Sequence, residues 1–175
     1  FSYLLIGKTN SLYINNQLFI LILSVLIFVI FNFFGKNFLG DAAVYALSFF
    51  IGFLLIQISM SDNKISPYFI ANLLWYPAFE NLFSILRRFF YKKKNYLPDN
   101  LHLHQLVYKF IKKKNIFKKN YLLSSATGIL LNMYLFFIFT IGYKFYSETY
   151  IQILLILFNT MVYFIIYYNL NKTLK

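Results

Sequence analysis

Two histidines, His102 and His104, stand two positions apart at the end of the run Pro98-Asp99-Asn100-Leu101-His102-Leu103-His104-Gln105. Imidazoles titrate near neutrality, so such a pair can bind metal, hold phosphate when protonated or shuttle protons. A spacing of two sets the rings on opposite sides of a helix but on one side of an extended segment. Pro98 and the turn-forming Asp99-Asn100 predict an extended or looped backbone here. Two imidazoles do not close a metal site, so a solvated polar loop explains the pair as well as chemistry does until another donor is found. A second candidate, weaker by itself, is Asp41, at the end of Gly35-Lys36-Asn37-Phe38-Leu39-Gly40-Asp41. Its plainer reading is a carboxylate at a helix start, favoured by capping and by the helix dipole.

The elements that must position these residues are membrane spans. Of 175 residues, 60% are hydrophobic and only 13% charged, with mean hydropathy +0.62, far from the balance of a soluble domain. Five apolar stretches follow one another: Gln17 to Phe34, Ala42 to Met60, Tyr68 to Phe90, Tyr121 to Phe145 and Thr149 to Leu170. Each reaches or approaches the roughly twenty residues that a helix needs to cross a bilayer. The predicted fold is therefore all-α and polytopic, with about five transmembrane helices in one domain over residues 1–175. Phe1 to Gly7 reads as the tail of a preceding span and Lys8 to Asn16 as a polar connection. Pro67 suits an early helical position, and Pro77 is expected to kink the third span. Glu80, costly in lipid, should face the protein interior or a water-filled cavity. Ser124, Ser125, Gly128 and Asn132 predict close packing of the fourth span on a neighbour. Met60, Met133 and Met161 read as packing residues and the aromatics as lipid-facing or interfacial.

Between the third and fourth spans lies a hydrophilic island, Arg87 to Asn120, holding both histidines and eleven of the seventeen Lys/Arg residues. The formal charge of +12 is thus gathered beside apolar spans. That favours the anionic cytoplasmic leaflet as partner and argues against nucleic acid. Lys92–Lys94, Lys112–Lys114, Lys118 and Lys119 read as electrostatic anchors. The positive-inside rule puts the island in the cytoplasm; counting spans then puts Asp41 and Lys175 inside, Lys64 and Glu148 outside. There is no cysteine, which removes disulfides and thiolate ligands. The chain begins at Phe1 without a basic signal-peptide region and is expected to be part of a longer protein.

Three segments together carry a resemblance. Asn32-Phe33-Phe34-Gly35-Lys36-Asn37-Phe38-Leu39-Gly40-Asp41 resembles the N-x-F-G-K-x-F-L-G-D segment of the polyprenyl-phosphate N-acetylhexosamine-1-phosphate transferases. Pro98 to Gln105 is similar to that family's P-D-x-x-H-x-H-H loop. Trp75-Tyr76-Pro77-Ala78-Phe79-Glu80 with Arg87-Arg88 is similar to its P-x-x-E…R-R helix. The likeness runs from about Gln17 to the end of the chain and corresponds to the C-terminal half of such an enzyme.

The resemblance implies transfer of N-acetylhexosamine-1-phosphate from a UDP-N-acetylhexosamine to polyprenyl (undecaprenyl) phosphate, with release of UMP, for cell-envelope polysaccharide. It implies a bacterial inner membrane, with the catalytic loops cytoplasmic. By carry-over Asp41 is the acid that binds Mg²⁺, a hard cation suited to one or two carboxylates, and His102 and His104 contact the nucleotide diphosphate. Lys36, Asn37, Gln105, Arg87 and Arg88 are carried over as substrate-binding positions. The chain departs from the pattern where Gln105 replaces a further histidine and where Ala42-Ala43 follow Asp41. The family's adjacent-aspartate motif and its middle Asn/Asp motif do not occur in the sequence, so this stretch alone is expected to be an incomplete enzyme. Two other readings stand beside it: an inactive remnant of the family, and a small transporter or scaffold using Asn72 and Glu80 as a polar path and the basic loop as a partner site. The sequence leaves open assembly as a homodimer.

Overall fold

The computed structural model describes residues 12–90, 101–115 and 119–174. Its elements are all α-helices: α1 Leu12–Phe33, α2 Gly40–Ser61, α3 Pro67–Leu73, α4 Trp75–Phe90, α5 Leu103–Lys113, α6 Asn120–Lys144 and α7 Thr149–Leu174. Four of them, α1, α2, α6 and α7, are long and apolar enough to cross a membrane. Their outward surfaces carry bare hydrophobic side chains such as Phe19, Ile30, Phe49, Phe137 and Ile165, the arrangement expected when lipid is the solvent. Hydroxyls on these helices are satisfied locally, Ser24 Oγ donating to Ile20 O at 2.8 Å and Ser48 Oγ to Val44 O at 2.8 Å. No bulk water is needed for them. The chain is an all-α polytopic membrane protein.

The expected third span is built as two helices in series. Proline has no N–H for the carbonyl four residues back, and its ring crowds that carbonyl; for Pro77 the residue concerned is Leu73, where α3 ends. Leu74 takes φ −94°, ψ 1° and the chain resumes as α4. The kink predicted at Pro77 therefore appears as a break on its N-terminal side. Ser66 caps α3 by accepting from Tyr68 N–H, with Pro67 at the first turn. Two smaller expectations are revised. The connection placed at Lys8–Asn16 is helical from Leu12, and Met60, Met133 and Met161 are exposed on the outer surface rather than packed inside.

Contacts between helix ends define two ends of the bundle. At one, Ser66 N–H donates to Tyr146 O at 3.0 Å and Ser66 Oγ lies 3.1 Å from Thr149 Oγ1. This far end therefore holds the α2–α3 turn with Lys64 and the α6–α7 turn with Glu148. At the other, Ser125 Oγ donates to Phe33 O at 3.3 Å and Lys113 Nζ to Thr173 O at 2.7 Å. This island end gathers the α1–α2 loop, α5, the start of α6 and the last turn of α7.

An amide network ties α3, α6 and α7 together. Asn72 Nδ2 donates to Gln152 Oε1 at 3.1 Å, and Asn159 Nδ2 donates to Asn72 Oδ1 at 3.3 Å. Gln152 Nε2 donates to the carbonyls of Gly142 and Phe145, both at 2.8 Å, and Tyr134 OH to Asn159 Oδ1 at 2.6 Å. A Cβ on Gly142 would lie 3.0 Å from Asn72 Nδ2, whereas one on Gly128, in the same helix, would meet nothing within 4 Å. Gly142→Ala is therefore expected to cost about 1–3 kcal/mol by overpacking this network. Gly128→Ala should be neutral or stabilising by up to about 1 kcal/mol, through helix propensity. Unfolding of the two variants in matched detergent micelles tests this; equal stabilities would mean that the network yields freely.

Candidate functional site

The site begins with one buried acid. Glu80, on α4, is 6% exposed, and an acid there needs donors from the protein. They come from the island. Its Oε1 accepts the Leu103 backbone N–H at 2.9 Å and lies 3.1 Å from His102 Nδ1. Leu103 opens α5, so its N–H is one of the amides that a helix start leaves unpaired. A carboxylate at that point is also favoured by the dipole. The hydroxyls of Tyr76 and Tyr163 face the same carboxyl but stop short of hydrogen-bond geometry with its second oxygen, Oε2.

His102 is the N-cap of α5, with φ −66°, ψ 149°, and Gln105 Oε1 accepts its backbone N–H at 3.3 Å. Gln105 thus spends its carbonyl on the helix start. The two imidazoles stack, centroids 5.5 Å apart and planes 14° from parallel. The extended backbone expected before the histidines ends at His102. From Leu103 to Lys113 the island is an amphipathic helix, not a solvated loop. Leu103, Leu106 and Ile111 are buried, and the three- to five-residue spacing of these positions keeps one face on the bundle. Asn115, at φ 51°, takes the left-handed conformation that asparagine tolerates and ends the helix.

Arg87 is committed to holding this assembly, and Arg88 is bonded within α4. Arg87, 8% exposed, donates through Nη1 to Leu101 O at 2.7 Å and to Tyr167 OH at 2.6 Å. Its guanidinium also lies 5.5 Å from the Phe83 ring centroid and 5.6 Å from that of Tyr167, a cation–π arrangement. Arg88 Nη2 donates to Ser84 Oγ at 3.2 Å. Lys113 meets the carbonyl end of α7 through Thr173, where a cation is favoured, so it does more than anchor to lipid. Lys92–Lys94, Pro98, Asp99, Asn100 and Lys118 lie outside the described residues.

Two of the cavities that border α5 carry charged side chains. One, about 560 Å³, lies between α5 and α6 and is lined by His104, Gln105, Tyr108, Lys109, Lys112 and small residues of α6 including Ser124, Thr127 and Gly128. The other, about 830 Å³, lies between α4, α5 and α7; Phe83, Leu86, Phe164 and Leu174 line it together with Arg87, Lys109, Tyr167 and Asn171. Lys109 lines both. Of the small residues of α6 expected to bring a helix close, Ser125 does meet α1 at Phe33 O, whereas Ser124 and Gly128 leave room for the first cavity. The aromatics expected on the lipid face also form an interior ladder. Trp75 stacks on Phe79 at 5.2 Å and Phe79 on Phe83 at 6.2 Å, with Tyr163 and Tyr167 edge-on.

Asp41 stands apart from these groups. It is exposed in the first turn of α2, whose N-cap is Leu39, so it does not cap the helix. Before it, α1 closes with Gly35 at φ +67°: Gly35 N–H donates to Asn32 O at 2.9 Å and Lys36 N–H to Phe31 O at 3.1 Å. This paired closure needs the left-handed residue that glycine supplies. Asn32 Nδ2 donates to Asn37 O at 2.9 Å. The side chains of Lys36 and Asn37 are exposed. A Cβ on Gly35 would lie 3.3 Å from Tyr121 Cβ on α6. Among the described residues, no three of His, Cys, Asp and Glu approach closely enough to hold a metal ion. The acid that the histidines meet is Glu80.

Sequence reasoning placed Glu80 inside but gave it no partner, and it passed over Ser84, Thr127 and Tyr167. The available signal was the spacing Trp75, Phe79, Phe83 and Trp75, Tyr76, Glu80, Ser84, Arg87, which aligns one helix face inward. Compared with protein-family models, curated proteins and solved structures, the chain matches none.

Desolvation lowers the pKa of His104 below the ordinary histidine value, and His102 lowers it further, against a smaller opposing pull from Glu80 than the desolvation. The folded chain then holds this proton less well than the unfolded chain, so stability rises with pH through the window below the ordinary value. Acidification from about pH 7.5 to about pH 5 should destabilise the fold, levelling once pH passes the lowered folded-state value. His104→Gln should remove that part of the slope. Thermal unfolding at graded pH in detergent measures it, and an unchanged slope in the variant would show that His104 is not the group responsible.

Proposed function

We propose that the chain is the C-terminal part of a membrane enzyme that transfers N-acetylhexosamine-1-phosphate from a UDP-sugar to polyprenyl phosphate. A phosphate oxygen of the lipid attacks the β-phosphorus of the UDP-sugar, the bond to the bridging oxygen breaks, and UMP leaves. The observation that carries this reading is that both separated motif segments border the first turns of α6. The Asn32–Asp41 segment meets Tyr121 and Ser125, and the histidine cavity is walled by Ser124, Thr127 and Gly128. Segments about sixty residues apart thereby come to the same end of the bundle.

The residues divide the work by charge and shape. Lys109, Lys112 and His104 line the cavity between α5 and α6 and would offset the charge of a nucleotide diphosphate, the chief task in phosphoryl transfer. The larger cavity shares Lys109, and its Phe83, Leu86, Phe164 and Leu174 side chains would take the phosphate end of a prenyl chain. Asp41, a single exposed carboxylate, fits Mg²⁺ only as one donor among waters and substrate phosphates. When bound there, the ion would supply positive charge to the phosphates. With the island cytoplasmic by its charge, the site faces the compartment that holds UDP-sugars, at a bacterial inner membrane. A transport path has less support, because Asn72 and Glu80 are both engaged with protein partners.

Asp41→Asn in the complete natural protein keeps the shape and removes the charge. UMP release from UDP-N-acetylhexosamine should fall by about 100-fold or more, with little recovery on raising Mg²⁺. His104→Ala should also impair turnover. Normal activity in a folded His104 variant would make the island a tether and remove the carry-over at that position.

Orientation is tested separately. The chain has no cysteine, so Lys64→Cys and Lys113→Cys each give one thiol within it. An impermeant thiol reagent on intact cells, with other cysteines of the complete protein replaced, should label position 64 and spare position 113. The reverse pattern would invert the topology.

A further inference from the structure

We propose that Glu80 is the positioning residue for His102: its carboxylate holds the hydrogen on Nδ1 and thereby makes Nε2 the basic nitrogen of the ring. The proposal rests on the transferase reading only for what His102 would face; the positioning itself follows from geometry. Glu80 Oε1, already the acceptor of the Leu103 N–H, lies 3.1 Å from His102 Nδ1, and a carboxyl oxygen that serves as acceptor there assigns the hydrogen of the second bond to the ring nitrogen. A carboxylate behind an imidazole sets both tautomer and ring orientation, as it does for metal-bound histidines. The same oxygen also accepts from Leu103 N–H at 2.9 Å. The backbone on which His102 sits is therefore fixed to α4 by the atom that orients its ring. His104 stacks on that ring and lines the cavity between α5 and α6, so a ring set by Glu80 sets the wall of the cavity in turn. Glu80 itself is buried behind the histidines and acts on a substrate through them.

A merely structural Glu80 would cap α5 without deciding where the imidazole hydrogen sits. Nitrogen-15 imidazole spectra of the complete protein in nanodiscs separate the two, with the His102 signals identified as those lost in His102→Gln. Wild type should show His102 hydrogenated at Nδ1. Glu80→Ala should release the ring to a tautomer mixture weighted towards Nε2–H. Glu80→Gln, which keeps one acceptor oxygen, should retain most of the Nδ1–H form. A wild-type His102 hydrogenated at Nε2, or a Glu80→Ala protein that stays folded with its tautomer unchanged, would overturn the proposal. The wild-type spectrum decides the matter even where the alanine variant does not fold. Turnover supplies a second readout: Glu80→Ala should lower kcat by about 10-fold or more with a smaller change in KM, as for a misdirected base, and Glu80→Gln should restore part of it. A wild type with the Nδ1–H signature that releases no UMP from any UDP-N-acetylhexosamine sinks the transferase reading and leaves the positioning by Glu80 standing.

Discussion

A carboxyl group almost wholly removed from water inside a helical membrane protein must be met by donors that the fold itself brings to it. Glu80 meets two, the first amide of α5 and the Nδ1 of His102, and both come from the most basic stretch of the chain. That fixes where the island can lie. A run of lysines beside a bilayer would otherwise be free to spread over the anionic surface. Instead α5 begins against α4 and lays Leu103, Leu106 and Ile111 onto the bundle. The cavities, the stacked histidines and the placing of Lys109 all follow from this one docking.

The two ends of the bundle are held by different chemistry. At the far end and along the interior, Asn72, Gln152, Asn159 and Tyr134 satisfy one another. Exchanging one hydrogen bond for another inside a bilayer yields modest energy, on the order of 1 kcal/mol each, but it fixes the register of α3, α6 and α7. At the island end the fixing groups are aromatic and charged. Arg87 joins Leu101 to Tyr167 above a ladder of rings from Trp75 to Phe83. A guanidinium flanked by two aromatic faces keeps part of its stabilisation without water. One end is thus a closed amide lattice. The other is a clamp around side chains that still reach cavities.

Most of the membrane architecture was legible in the sequence because lipid imposes a length and a composition on every span, and α1, α2, α6 and α7 meet both. Pro77 announced a break, though its effect falls at Leu73–Leu74, since the missing hydrogen bond belongs to the residue four places earlier. The island was harder. Pro98, the Asp99-Asn100 pair and the density of lysines outweighed the spacing of Leu103, Leu106, Val107, Phe110 and Ile111, which marks an amphipathic helix once the charges are set aside. The histidines were legible as a pair, but their partner was not. The link from Glu80 to His102 is a tertiary contact, and no local pattern encodes it. Asp41 shows the opposite case, in which a residue singled out by resemblance sits on the helix start foreseen for it yet neither caps that helix nor joins a group of metal-ligating side chains.

The small residues of α6 join these observations into a site. Ser124, Thr127 and Gly128 face α5, and a Cβ at Gly128 would meet nothing within 4 Å. Close helix packing would have filled that space, as Asn72 and Gln152 do around Gly142. The two glycines of one helix thus do opposite work, Gly142 admitting a neighbour and Gly128 leaving a void. The void opens where the cationic face of α5 carries Lys109 and Lys112, so it is roomy and positive, while the cavity across α5 is larger and carries Arg87 with Lys109. A helix held by Glu80 at its first turn and by Lys113 on α7 near its last separates them, with Lys109 bordering both. One cation on α5 thus stands at the border of two separate spaces, and its place there depends on the docking of that helix at both ends.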